Sequence, residues 1–265
     1  MDEGDAAALD EPAVYASQGA DDIIWVFCCL MLAALIQPGF ACYKVGAIRE
    51  ISRTRPILLQ TIGNVAVSLV AWVYFGYALA SGEDTGGFVG RSFFFFADNP
   101  FADTPERSAA DAFLGCLYQW SFAAACTAIM LGPVADRMPS TLYLIYVFIA
   151  SGIFYPFLAH WVWADEGWAS ATRNDPINGC GVLDFAGSGV VNMFGGAVGL
   201  ITASLIRPRS SRFFPPSYWN GDPHHVEPRG HLKNHTNCPQ INEADFRPND
   251  GAWMTVGCFL VWIGW

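Results

Sequence analysis

Charge is what this chain has least of: 14% of its 265 residues are Asp, Glu, Lys or Arg, against 53% that are hydrophobic. That apolar share exceeds what a water-soluble domain needs for its core and points to a membrane protein. Basic residues are missing altogether from the first 22 positions, so the start lacks the n-region of a cleavable signal peptide. The 8 cysteines show no C-x-x-C pairing and read as small core residues, with Cys116 and Cys180 left open as a pair meeting on one membrane face. No phosphate-binding glycine loop, nucleophile–base pair or compact metal-ligand cluster is visible, so neither an enzyme nor a cofactor is expected. A net charge of −10 argues against a nucleic-acid partner.

What the chain has in abundance is long apolar runs, with 20 Phe and 10 Trp among them. Crossing a hydrocarbon core takes roughly 20 helical residues. Five runs qualify, near 23–43, 57–80, 111–132, 141–163 and 182–206, and a sixth helix starts at 251–265, too short to span. The lipid bilayer is therefore the first partner, and the fold class is an all-α multispan membrane protein. Lysine and arginine set its orientation. Lys44, Arg49, Arg53, Arg55, Arg137, Arg207, Arg209, Arg212, Arg229, Lys233 and Arg247 fall on one side, and only Arg91, Arg107 and Arg173 on the other. By the positive-inside rule the N-terminus lies outside and the polar 207–250 segment inside. Residues 1–22 then form an acidic outer arm and 23–206 a five-helix unit; which membrane holds them is open.

Punctuation inside the spans is sparse. Gln37-Pro38-Gly39 interrupts the first and Pro133 ends the third, marking bends or close helix crossings. The 207–250 insert carries His224, His225, His231, His235 and Cys238 without the spacing of a metal module, and an Asn234-His235-Thr236 sequon that this topology places inside. Phe93 through Phe96 read as a lid packed over the helices beside them. His160, at the end of the fourth span, reads as a packed or interfacial histidine rather than a ligand.

The most informative stretch is Asp184-Phe185-Ala186-Gly187-Ser188-Gly189-Val190-Val191-Asn192. A carboxylate at the mouth of a membrane-buried helix costs about 2.5–3.5 kcal/mol on insertion scales, so it marks a site or a structural lock. The stretch resembles the signature of the ammonium transporter (Amt/Mep/Rh) family. Further resemblances follow in order along the chain. Leu35-Ile36-Gln37-Pro38-Gly39-Phe40-Ala41 is similar to part of the family's first span, and Gln60-Thr61-Ile62-Gly63-Asn64 to the start of its second. Tyr118-Gln119-Trp120-Ser121-Phe122-Ala123 resembles the third, with Ala135-Asp136-Arg137 after it. His160-Trp161-Val162-Trp163 precedes the aspartate segment, and Phe259-Leu260-Val261-Trp262-Ile263-Gly264-Trp265 resembles the sixth span.

The resemblance implies an ammonium-transporter-like helical bundle, of which this chain supplies the first inverted repeat and the start of the next helix. It implies ammonium or ammonia as substrate and a homotrimeric assembly. It assigns Trp163 to an outer vestibule where cation–π attraction recruits the ion. Phe122 becomes one of two phenyl rings closing the pore below, and Asp184 a carboxylate that shapes the site by capping and positioning backbone. From spacing alone, Trp161, Trp163 and Trp168 suit an interfacial aromatic belt, and Asp184 an N-cap.

At Asn192 the family usually has a pore histidine, paired with a second on the other half. Histidine exchanges protons near neutral pH; an amide donates and accepts but does not titrate. Two functions therefore stand open. One is ammonium permeation with an impaired proton relay. The other is a non-transporting, degenerate transporter-fold subunit of a larger membrane complex, with an ammonium sensor as a variant.

Overall fold

The computed structural model describes residues 11–48, 53–97, 100–101, 108–206 and 248–265, with side chains from Asp22 onward. The first ten residues of the expected arm, and the histidines, Cys238 and sequon of the 207–250 insert, lie outside the described residues. Among the described residues, five helices are long and apolar enough to cross a membrane: Asp22–Ala47, Thr54–Ser81, Ala109–Val134, Ser140–Trp163 and Ser188–Ile206. They are called here the first to fifth spans. A shorter apolar helix, Gly251–Gly264, follows as the sixth.

Two boundaries differ from the sequence reading. The helix feeding the first span already begins at Glu11, within the segment expected as an arm. The fifth span begins at Ser188 rather than 182, because Gly187 takes a left-handed conformation (φ 80°) that a helix cannot continue through.

Proline and glycine act where the sequence places them. At Leu35 the first span tightens into an i→i+3 bond, Leu35 N–H to Leu32 O at 2.9 Å, just before Pro38, which has no N–H to give. Past this kink the span runs beside the sixth helix at a distance only glycine permits. A Cβ on Gly39 would sit 2.8 Å from the Val261 nitrogen. The far end of this pair is clasped by Asn249 N–H to Ile48 O (2.8 Å) and Asp250 N–H to Gly46 O (3.1 Å), while the Asp250 carboxylate caps Ala252 N–H at 2.8 Å.

The first three spans are tied by a buried polar knot. Asn64, fully buried, donates to Gln37 Oε1 (3.2 Å) and to the Ala124 carbonyl (3.0 Å), and accepts from Thr127 Oγ1 (2.8 Å). Buried amides are stable only with such partners, so the knot fixes which faces meet. Ile36, Ile57, Met130, Leu131, Tyr143 and Val147 belong to the apolar core of the bundle. The second and fourth spans each contain one π-helical turn, Trp72–Gly76 and Ala150–Phe154. Trp72, in the first of these, packs on Tyr155 and donates Nε1–H to Cys116 O at 3.2 Å.

Lys44 departs from its reading as a flanking basic residue. It lies in the last turn of its helix and is buried, its ammonium 5.9 Å from the ring centres of Phe40 and Tyr143 and donating to the Tyr143 hydroxyl at 3.4 Å. Its long apolar stem and the two rings make that position tolerable. The described cysteines are all free.

At the end of the bundle marked by Ser81, Ala109, Trp163 and Ser188, a two-stranded antiparallel hairpin closes over the helices: β1 (Asp84–Thr85) pairs with β2 (Val89–Gly90). The phenylalanine run follows it. Phe93 and Phe96 pack on Tyr77, and Phe95 on Tyr74 and Phe75. Phe93, Phe95 and Phe96 have positive φ, a conformation that bulky residues adopt only when packing holds them.

Candidate functional site

The hairpin end carries the aromatic and acidic residues singled out above. Trp163 is the last residue of the fourth span, and the chain then leaves the helix. Its indole Nε1–H donates to the Asp184 backbone carbonyl at 2.7 Å, which pins the ring against the start of the fifth span. Across from it stands Phe122, whose ring centre is 6.1 Å away at 61°, an edge-on approach. Edge-to-face pairs gain from the ring quadrupoles and leave a π face open to a third group.

Asp184 faces the helix below. Its carboxylate accepts from Gly189 N–H (3.0 Å), Val190 N–H (2.8 Å) and Ser188 Oγ (3.1 Å), and the residue is buried. These are the backbone donors that a helix start leaves without partners. A carboxylate there also meets the positive end of the helix dipole, which offsets the cost of burying it. Asp184 thus engages the fourth span through its main chain and the fifth through its side chain.

The fifth span opens with a π-helical turn, Ser188–Met193. The Gly187 carbonyl accepts from Val191 N–H and Asn192 N–H, both at 3.0 Å, and from the Asn192 side-chain Nδ2 at 3.3 Å. Asn192 is therefore folded back onto its own turn, at an exposed face beside Met193, which is 71% exposed. Gly187 links it to the ring above, since a Cβ on that glycine would lie 3.6 Å from Trp163 Cη2. Phe122, Trp163 and Asp184 are in one contact chain, and Asn192 sits one turn further on, joined through Gly187.

The three tryptophans whose spacing suits a belt divide. Trp161 and Trp168 turn to the hairpin and pack with Phe88, whose carbonyl accepts Trp161 Nε1–H at 2.9 Å. Trp163 turns to Phe122 and Asp184.

Three features of this region had no signal in the sequence. Trp265 lies edge-on to Phe122 at 6.0 Å, and Tyr118 approaches the same ring at 4.8 Å, so Phe122 is walled on three sides by aromatics. A cleft of about 360 Å³ reaches Trp163 past Gln119, with Asp84, Asp165 and Glu166 among its lining. His160, with no exposed surface, places Nδ1 2.9 Å from Ala80 O and Nε2 3.0 Å from Asp84 Oδ1. An aromatic in an apolar run looks like any other core residue, and Asp84 lies 76 positions from His160.

Five apolar spans among the described residues, with an aromatic pair and a capping carboxylate at one end, define a multispan integral membrane protein. The family model for the ammonium transporter family matches residues 24–227, and the chain belongs to that family. It is 36% identical over 222 residues to ammonium transporter 1 member 2 of Arabidopsis thaliana, covering 83% of this chain and 38% of that protein. Identity to ammonium transporter 1 member 3 of Solanum lycopersicum is 33% over 234 residues, covering 88% and 44%. The chain thus spans about two fifths of these relatives' length. Among solved structures, a sensor Amt protein superposes with a TM-score of 0.70 at 21% identity, over 92% of this chain and 52% of that one. Mep2 of Saccharomyces cerevisiae gives 0.64 at 24%, over 92% and 47%. At these identities the structural likeness speaks to the fold alone.

Proposed function

We propose that this chain forms one wall of an ammonium or ammonia permeation path, with the N-terminus and the hairpin end facing outward and the insert inward. In this reading Trp163 and Phe122 receive the cation, Asp184 holds Trp163 and the fifth span in register, and Asn192 lines the path below. A pseudo-symmetric second half completes the pore, and three copies assemble, as the family resemblance implies. One observation carries the reading most: the Trp163 indole is anchored by its N–H, so its π face stays oriented beside Phe122. Cation–π attraction is worth about 0.5–2 kcal/mol there, enough to separate a small cation from water.

Asn192 changes the chemistry of passage. Its amide offers hydrogen bonds without titrating, so a proton relay through this position does not operate. Passage of neutral ammonia along a polar lining remains. The test is uptake of labelled methylammonium, with membrane current recorded in parallel, in vesicles holding the full native polypeptide. Uptake without a matching proton current supports the proposal; a proton-coupled current overturns the relay argument.

The second reading is a transporter-fold subunit that conducts nothing. The observation favouring it is also Asn192, whose side chain is spent on the carbonyl of Gly187 in its own turn. Absence of uptake, with the protein co-purifying at fixed ratio in a larger membrane complex, would decide for it.

A further inference from the structure

Only part of the phenylalanine run acts as a lid. Phe93 and Phe96 turn inward onto Tyr77. Phe95 turns the other way. Its ring lies edge-on to Tyr74 at 5.1 Å and to Phe75 at 5.6 Å, both on the second span, and the residue stays 60% exposed. Its φ of 57° carries the steric cost that keeps bulky side chains out of the left-handed region. In water a strained backbone would here be holding a phenyl ring outward for no gain. Against hydrocarbon the same ring is buried, and that burial offsets the strain.

Depth points the same way. At about 1.5 Å per residue, the 28 residues of the second span measure about 42 Å, the thickness of a bilayer with its headgroups. Tyr74 precedes the span's last residue, Ser81, by two helical turns, which sets it about 10 Å below that end. Headgroups take up about 5–7 Å of this distance. Phe95 belongs to the connection outside the span, yet it reaches past the headgroup layer to the first part of the acyl chains. Its surroundings there are apolar. Val70, one turn further in, is exposed, and Phe75 meets Phe148 of the fourth span at 6.1 Å. The sixth helix packs elsewhere, against the first span.

Arg91 supplies a polar end. It follows β2, and its N–H donates to the Glu83 carbonyl at 3.0 Å, which keeps it level with the end of the second span. The hairpin is fixed at that level: the Asp84 carboxylate accepts Gly87 N–H at 2.8 and 3.0 Å and meets His160 Nε2 at 3.0 Å. Arg91 is exposed, and among the described residues no carboxylate pairs with it. We propose that Arg91, Tyr74 and Phe95 bind a phospholipid of the leaflet on the hairpin side. The guanidinium takes the phosphate, which its fork of N–H donors fits, and an acyl chain crosses the exposed faces of Phe95 and Tyr74. The drop of about 10 Å from the level of Arg91 to that of Tyr74 covers the headgroup layer and the first acyl carbons. The lipid thereby fastens the connection between the second and third spans to the bilayer. This proposal needs the membrane embedding of the spans and not the permeation path.

The test uses the full native polypeptide in nanodiscs of phosphatidylcholine and phosphatidylglycerol, with photoreactive benzoylphenylalanine in place of Phe95. Irradiation is expected to attach a phospholipid to the peptide holding position 95, read by mass spectrometry. A cross-link to another protein segment, in the same chain or a second copy, overturns the proposal, as does the lack of a lipid adduct. Two ordinary variants guard against damage by the label. Phe95→Asn suits the left-handed backbone while removing the ring, and Arg91→Gln removes the charge. In native mass spectrometry of the detergent-solubilised protein, Phe95→Asn is expected to weaken phospholipid retention about five- to thirtyfold, and Arg91→Gln about two- to fivefold. Diacylglycerol, which lacks the phosphate, should lose nothing with Arg91→Gln. Hydrogen–deuterium exchange of peptides covering 82–91 should stay native in both variants. Unchanged phospholipid retention, or weaker retention accompanied by lost protection of 82–91, overturns the site.

Discussion

Trp163 and Asp184 are joined through the backbone of one and the side chain of the other: the indole N–H donates to the aspartate's carbonyl oxygen at 2.7 Å. The same aspartate's carboxylate meanwhile holds the N–H groups of Gly189 and Val190 in the first turn of the fifth span. One residue thereby sets both the ring that would meet a cation and the helix that would line its path.

Trp163→Leu should weaken ammonium binding about 2- to 30-fold, the range of one cation–π contact. Trp163→Phe should lose less, because a π face remains while the anchoring N–H is gone. Isothermal binding or concentration-dependent methylammonium uptake checks both; a leucine variant equal to the native protein would remove Trp163 from the site.

Asp184→Ala should destabilise the bundle by about 1.5–3 kcal/mol or more, since two backbone N–H groups and the Ser188 hydroxyl lose a charged acceptor. Asp184→Asn should fall between, retaining one oxygen. Thermal unfolding in detergent, followed by helical circular dichroism, measures the order; an alanine variant melting with the native protein would contradict the capping geometry.

Asn192→His should introduce a group that titrates near neutral pH. The expected outcome is a methylammonium uptake that becomes pH-dependent between about pH 5 and 8, where the native profile lacks this component. Identical profiles would show that position 192 does not face the path.

Asn64→Leu should cost about 2–5 kcal/mol, because the part-buried Gln37 amide and the buried Thr127 hydroxyl lose the side chain that joins them. A midpoint of thermal unfolding within a degree of the native value would mean that the polar knot contributes little.

Acid should release the hairpin. Asp84 titrates below its ordinary value, so its contribution is complete above about pH 4, the unfolded aspartate value, and is lost as pH falls further through the native one. Exchange protection of 82–91 should drop on that side, and Asp84→Asn should abolish the drop.

The five spans were readable because hydrocarbon thickness imposes a length, and no other force in the chain produces apolar runs of that size. Asp184 was readable because a carboxylate in such a run is costly. The remainder of the site was not, for physical reasons that differ by residue. Trp265 and Tyr118 surround Phe122, but apolar aromatics carry no mark of which neighbour they meet. Lys44 follows a proline kink near a helix end and has the pattern of a flanking charge; only the packing of Phe40 and Tyr143 takes it inside. The start of the fifth span was placed six residues early because 182–187 is apolar enough, while the left-handed Gly187 and the Asp184 cap delay the helix to Ser188.

The triple use of the Gly187 carbonyl has a mechanical meaning. A π turn holds one residue more than an α turn, so Ser188–Met193 is a stored extra residue at the start of an otherwise regular helix. Each residue advances a helix by about 100°. Deleting any one residue between Ser188 and Met193 would let the turn rewind into ordinary α geometry and swing the chain before it by that angle relative to the rest of the span. The direction in which position 192 points is thus written in the length of this segment, and a change of residue count would re-aim it more thoroughly than any substitution there.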